Sequence, residues 1–261
     1  MPYVKPEHIL NPPTGGWPLI TRELIVEHCN KSEEVYELTK HLPYVLEHRG
    51  MDQEYLLKPY SALCDSHEPR PDDRSWVNML CPPYIDPLPV WTLPMTFQTE
   101  DLFGTYAVLD VTDGTITEMG NEPTIPNNKL YPDQDPRSWR NNALYQNNPS
   151  DATLPITTYF QKVTDKFRRL EYIGHPEPRW QRITETVIGE GPHADEDDVR
   201  MVQNLKRIYL EHGWPDVFDR AGCDNAVRKW LVDEGERVRR EQDKRLAELL
   251  AASEAVRRAQ S

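Results

Sequence analysis

The sequence predicts an α+β fold, predominantly helical, with a small antiparallel β-sheet and a long C-terminal helix. Three observations lead there. Apolar residues recur at spacings of three and four in several stretches, one segment alternates β-branched residues around an Asp-Gly pair, and the last thirty or so residues interleave charges of both signs. The boundaries expected are a single acidic domain over residues 1–234 and a charged helical tail over 235–261.

The first helical stretch is expected from Thr21, which can cap Leu24, Ile25 and Val26. Ser32 caps a second stretch. Glu33 and Glu34 suit the positive end of its dipole, and Val35, Leu38, Leu42 and Val45 form one buried face. Pro43 removes an amide hydrogen bond inside that pattern, so a kink or a new helix starting at His41-Leu42 is expected. Residues 53–63 read as another short helix interrupted at Pro59.

Between Asp65 and Phe97 seven prolines exclude regular helix, while Trp76, Tyr84, Leu88, Trp91 and Phe97 are too apolar for a solvated linker. This stretch is expected to lie across the body as edge strands. Tyr106 to Val111 and Ile116 to Met119 flank Thr112-Asp113-Gly114-Thr115, and Asp-Gly supplies the positive φ angles of a hairpin turn. Asn121 to Ser150, rich in Asn, Pro and Asp, reads as an irregular surface loop. Helix returns at Thr158, where Gln161 completes a capping box and Tyr159, Phe160, Val163, Phe167 and Leu170 form the stripe, with Gly174 and Pro176 ending it. Asp195 to Asp198 opens the next helix and His212-Gly213 closes it; Trp214-Pro215 turns into a final helix from about Asp224.

Past Glu234 that helix is charged throughout, with seven basic and five acidic residues between 235 and 261. A heptad frame begun at Val227 meets Glu234 and Glu241 at core positions, which disfavours a long coiled coil. The tail is either a solvated helix or a docking element.

Composition excludes several functions. The 43 acidic against 30 basic residues give a net charge of −13, which repels nucleic acid phosphate and anionic lipid, so neither nucleic acid nor membrane is an expected partner. The opening residues hold five prolines and no long apolar run, which is unlike a secretory signal. Four sparse, irregularly spaced cysteines read as reduced thiols, and the expected location is cytoplasmic. No phosphate-binding glycine motif, G-x-S-x-G or H-E-x-x-H occurs. The best metal candidate is Cys64 and His67 with Cys81 and either Cys29 or His28, but it holds one close ligand pair without a second, so neither a metal nor a cofactor is expected. Cys223 near His212 lacks any sign that an imidazole reaches its thiol.

Four aromatic residues are candidates for binding: Trp17, Tyr44, Trp91 and Trp214. Trp17 and Trp214 sit in two Gly-Trp-Pro triplets, each placing a large ring at a rigid turn beside a helix, either as an anchor or as a recognition patch. His41 and Asp110 are the acid/base candidates, although Asp110 and Asp113 also have an ordinary structural use at the hairpin, with Asp110 expected to alternate outward. The motifs Gly16-Trp-Pro-Leu-Ile-Thr21, Lys31-Ser-Glu-Glu-Val35, His41-Leu-Pro-Tyr44 and His212-Gly-Trp-Pro-Asp216, with Tyr106 to Asp110 and Cys223, resemble a set of uncharacterised intracellular proteins of filamentous fungi. The resemblance spans most of the chain in short motifs and carries over no catalytic residue.

The leading expectation is a non-catalytic interaction or regulatory protein, binding a protein partner through an aromatic surface or the C-terminal helix. The alternative is a small-molecule enzyme or ligand-binding protein. Its pocket would lie between the Pro-rich strand region and the helices, with His41 and Asp110 in acid/base roles, Tyr44 as a hydroxyl donor and Trp91 as a stacking wall.

Overall fold

The structure is a computed structural model that describes residues 4, 6–46, 55–59, 61–64, 67–68, 88–98, 104–119, 131–142, 153–174, 183–185 and 196–259. It is an α+β protein with more helix than strand among the described residues, small antiparallel sheets and one long C-terminal helix. The chain divides into two compact units, Met1–Val202 and Gln203–Ser261.

In the first unit, β1 (Ile9–Leu10) pairs with β2 (Tyr44–Val45). Thr21 Oγ1 accepts from the Leu24 amide at 3.2 Å, and the turns that follow, Glu23–His28, are π-helical. Ser32 caps α1 (Glu33–His41) by accepting from the Val35 amide at 3.3 Å. The helix ends rather than kinks. Leu42 adopts extended angles (φ −68°, ψ 144°), as the ring of Pro43 demands of the residue before it, and the chain continues into β2.

Residues 53–63 correct the expectation of helix. The described part forms β3 (Leu56–Lys58) and β4 (Ser61–Leu63), an antiparallel pair on either side of Pro59. Tyr55, Leu56, Leu57 and Lys58 are all buried, and a short run buried on every side has no helical period to reveal itself. β4 pairs in turn with β6 (Thr96–Gln98), giving a three-stranded sheet in the order β3-β4-β6.

The second sheet runs β5-β7-β8-β9: β5 (Thr92–Pro94), β7 (Tyr106–Asp110), β8 (Thr115–Met119) and β9 (Thr153–Pro155). β5 and β6 are edge strands, as expected for a proline-marked segment, and Pro94 sits on the edge where its missing amide proton is tolerated; residues 69–87 of that segment lie outside the described residues. The β7–β8 hairpin forms with Asp110 opposite Thr115. Its connection is four residues long, and Gly114 alone has a positive φ (68°), closing the turn with its amide on the Asp110 carbonyl at 3.0 Å.

Hydroxyls join the two sheets. Thr96 Oγ1 donates to the Thr105 carbonyl at 2.9 Å and accepts from the Ala107 amide at 2.8 Å, while Ser61 Oγ accepts from the Thr105 amide at 2.9 Å. Lys58 and Glu118 add a largely buried ion pair at 2.6 Å. α2 (Ile156–Arg168) follows β9 directly, so Pro155 replaces the expected Thr158 capping box. Its stripe buries Tyr159 and Phe167 as expected, while Leu170, also buried, lies past the end of the helix. Leu170 itself takes the left-handed conformation (φ 54°) that ends the helix, and Gly174 lies instead in β10 (Tyr172–Gly174), paired with β11 (Ile183–Glu185). The core gathers Ile20, Ile25, Val35, Leu57, Ala107, Ile116 and Tyr159 from α1, α2, the π-helical turn and both sheets.

α3 (Glu196–Glu211) carries the expected acidic first turn, and α4 (Arg220–Ala259) is one 40-residue helix. In the second unit Leu205, Ile208, Tyr209, Cys223 and Val227 are buried.

Candidate functional site

The candidate residues fall in three places. At the end of α1, the Trp17 amide donates to the Lys40 carbonyl at 2.9 Å and its indole Nε1 to the Leu42 carbonyl at 2.8 Å. Its ring lies 5.9 Å from that of Tyr44 and 5.4 Å, edge to face, from that of His67. The Tyr44 hydroxyl donates to the Thr39 carbonyl at 2.7 Å, in the core. These contacts satisfy carbonyls that the last turn of α1 leaves without helical partners. Gly16 makes the approach possible: its φ is 81°, and a Cβ there would come within 2.7 Å of the Lys40 carbonyl oxygen. His41 is exposed, its Nδ1 donating to the Glu37 carbonyl at 2.9 Å with the Glu37 carboxylate at 3.6 Å.

Asp110 lies elsewhere, at the end of β7. It was expected to face outward and is buried instead, its side chain 2% exposed, because Arg140 covers it. Arg140 Nη2 donates to Asp110 Oδ2 at 2.7 Å and to Asp113 Oδ2 at 2.8 Å. Asp110 Oδ1 accepts from the Thr112 amide at 2.9 Å and hydroxyl at 2.6 Å; Asp113 Oδ1 accepts from the Thr115 hydroxyl at 2.7 Å. Partial burial pushes the Asp113 carboxyl up, but the hydrogen bonds from Thr115 and Arg140 outweigh it and hold the group below its ordinary range. Trp91 is half-buried next to this cluster, its carbonyl accepting from the Val111 amide at 3.1 Å, with Thr92 in register with Asp110.

Sequence reasoning missed Arg140. The described residues 131–142, expected as surface loop, fold on themselves: Asn141 exchanges two hydrogen bonds with the Tyr131 backbone, both 2.9 Å, and Arg137 pairs with Asp135, holding its carboxyl down at about 2. A short 3-10 helix (Ser138–Asn142) then delivers Trp139 into the cluster of Tyr106, Val108 and Met119 and places Arg140 over the hairpin carboxylates. The adjacent Trp-Arg pair inside a polar stretch was the available signal. Trp139 Nε1 and Arg140 Nε are buried donors without an acceptor, and the guanidinium lies 5.2 Å from the Trp139 ring centre. The arrangement locks a loop to a hairpin; it engages Asp110 through both oxygens.

The third place is in the second unit. Gly213 (φ 81°) ends α3, and the Trp214 amide returns to the Tyr209 carbonyl at 3.1 Å. Trp214, Phe218 and buried Tyr209 form an aromatic cluster, with ring centres 5.0 to 5.7 Å apart. Trp214 and Phe218 remain half-buried, while Leu210 is 61% and Val217 83% exposed. Asp219 Oδ1 accepts from the Gly222 amide at 3.0 Å, capping the first turn of α4. Burial, together with Asp224 and Asp219, pushes the Cys223 thiol up to about 12, which disfavours the thiolate a nucleophile needs.

Among the described residues no group of three or more His, Cys, Asp or Glu side chains is placed to hold a metal; Cys81 lies outside them. No described helix is long and apolar enough to cross a membrane. No protein-family model, curated protein or solved structure matches the chain.

Proposed function

We propose that this chain is a non-catalytic interaction or regulatory protein of the cytoplasm, whose protein partner seats on the apolar surface at the turn between α3 and α4. The observation that carries this reading is the pairing of a rigid aromatic cluster, Tyr209, Trp214 and Phe218, with the exposed side chains of Leu210 and Val217. Trp and Tyr rings are the anchors of binding hot spots, because they bring large contact area at little conformational cost, and exposed aliphatic groups nearby widen the apolar surface a partner would cover. Asp110 and Cys223 support the same reading from the other side: the one is engaged by Arg140 and Thr112, and the other is held as a thiol.

The test is affinity capture with the full chain and with Leu210→Asp and Val217→Asp variants, whose exposed positions leave the fold intact in a melting curve. A stoichiometric partner that survives moderate salt with the parent chain and is lost with the variants is the expected result. A partner retained by both variants, or turnover of a metabolite that disappears on Asp110→Asn with folding intact, overturns the reading.

A further inference from the structure

The turn between α3 and α4 holds its apolar side chains on a fixed frame. The Val217 amide donates to the Gly213 carbonyl at 3.0 Å and the Asp219 amide to the His212 carbonyl at 2.9 Å, so the loop closes on itself. Pro215, Asp216 and Val217 stand exposed on it. A surface already held in one conformation loses little entropy on binding.

The charges around this surface leave an acidic excess. Arg207 donates to both carboxylate oxygens of Glu211, at 2.7 and 2.9 Å, and that pair cancels. Arg220 and Asp224 carry opposite charges and both bear on Tyr209. Two carboxylates remain. Asp216, the chain neighbour of Val217, is exposed and has no ion pair among the described residues. Asp219 is exposed as well, with only the His212 imidazole nearby, at 3.5 Å. The Gly222 amide holds the Asp219 carboxyl below its ordinary value, so it stays ionised at neutral pH. We propose that the partner of this surface is a basic amphipathic protein segment, its apolar side chains seated on Leu210, Trp214, Val217 and Phe218 and its Lys or Arg side chains meeting Asp216 and Asp219. A second copy of the chain is the poorer occupant. Two-fold pairing through the same patch brings Asp216 and Asp219 towards their own counterparts, and each chain carries a net charge of −13. That same charge steers a basic segment inward.

The inference rests on the partner surface proposed above and names the chemistry of what binds there. The probe is a synthetic amphipathic helical peptide of leucine and lysine, with a control peptide in which glutamate replaces lysine, each titrated into the full chain by calorimetry at physiological salt. The lysine peptide is expected to bind at one site and the glutamate peptide not to bind. Val217→Asp is expected to weaken binding by about tenfold or more although it adds a negative charge, which separates seating on the patch from general attraction to an acidic chain. Asp216→Lys is expected to weaken binding by about threefold or more, whereas Glu248→Lys, the same change of charge at an exposed position of α4, alters it by less than about twofold. Equal binding of the two peptides, indifference to Val217→Asp, or a response to Glu248→Lys as large as that to Asp216→Lys overturns the proposal. So does a self-associated chain that Val217→Asp dissolves in sedimentation velocity, since a second copy then covers the patch. A captured partner lost with Val217→Asp but retained by Asp216→Lys overturns the basic segment and leaves the partner surface standing; a partner retained by Val217→Asp overturns both.

Discussion

Arg140→Ala is the substitution from which most is expected. Arg140 and Asp110 have side chains only 4% and 2% exposed, and they meet at 2.7 Å; removing the guanidinium leaves the Asp110 carboxylate in the interior with the amide and hydroxyl of Thr112 but no opposite charge. Breaking a buried pair from one side costs about 3–5 kcal/mol, because the remaining ion keeps its desolvation penalty. Asp113, with a side chain 39% exposed, loses the same partner but can turn to water, so its share is about 1 kcal/mol or less. The first unit is therefore expected to lose roughly 6–20 °C in melting temperature. Urea denaturation followed by circular dichroism measures the change, and a second variant separates charge from packing. Arg140→Met costs the full amount alone and much less in an Asp110→Asn background, where no charge is stranded. A loss below about 1 kcal/mol for Arg140→Ala, or an Asp110→Asn background that does not soften Arg140→Met, refutes the reasoning.

Three further outcomes follow from the geometry. Gly213→Ala is expected to destabilise the α3–α4 turn by about 1–3 kcal/mol and to abolish partner capture, since the new Cβ would run into the Val217 carbonyl oxygen on a backbone with φ 81°; a chain that melts normally and still binds counts against this. Cys223, buried and with its thiol pushed up to about 12, is expected to resist alkylation by iodoacetamide at pH 8 in the native chain and react once denatured, read by mass spectrometry. Asp113 is held below the ordinary carboxylate value, so the stability it contributes is fully present above about pH 4 and is lost as the pH falls through the depressed value. Acid titration is therefore expected to show a smaller loss of stability below about pH 4 in Asp113→Asn than in the parent chain, the remaining loss coming from other lowered carboxyls such as Asp135.

The sequence by itself determined the local structure wherever one short segment contained its own reason. Ser32 caps α1 with an oxygen three residues from its amide partner, Gly114 closes the β7–β8 hairpin, and the buried face of Tyr159 and Phe167 marks α2. The turns at Trp17 and Trp214 were legible as rigid aromatic corners for the same reason. Tertiary structure alone decided what depends on partners distant in the chain. Leu56–Lys58 and Ser61–Leu63 became strands because β6, more than thirty residues on, extends the ladder of β4, on which β3 pairs. Asp110 became buried because Arg140 arrives from thirty residues away. No periodicity encodes either event, since a strand buried on both faces and an arginine in a polar loop look the same in sequence as their unfolded or exposed equivalents; only the free energy of the closed contact, an ion pair out of water or a completed ladder, distinguishes them.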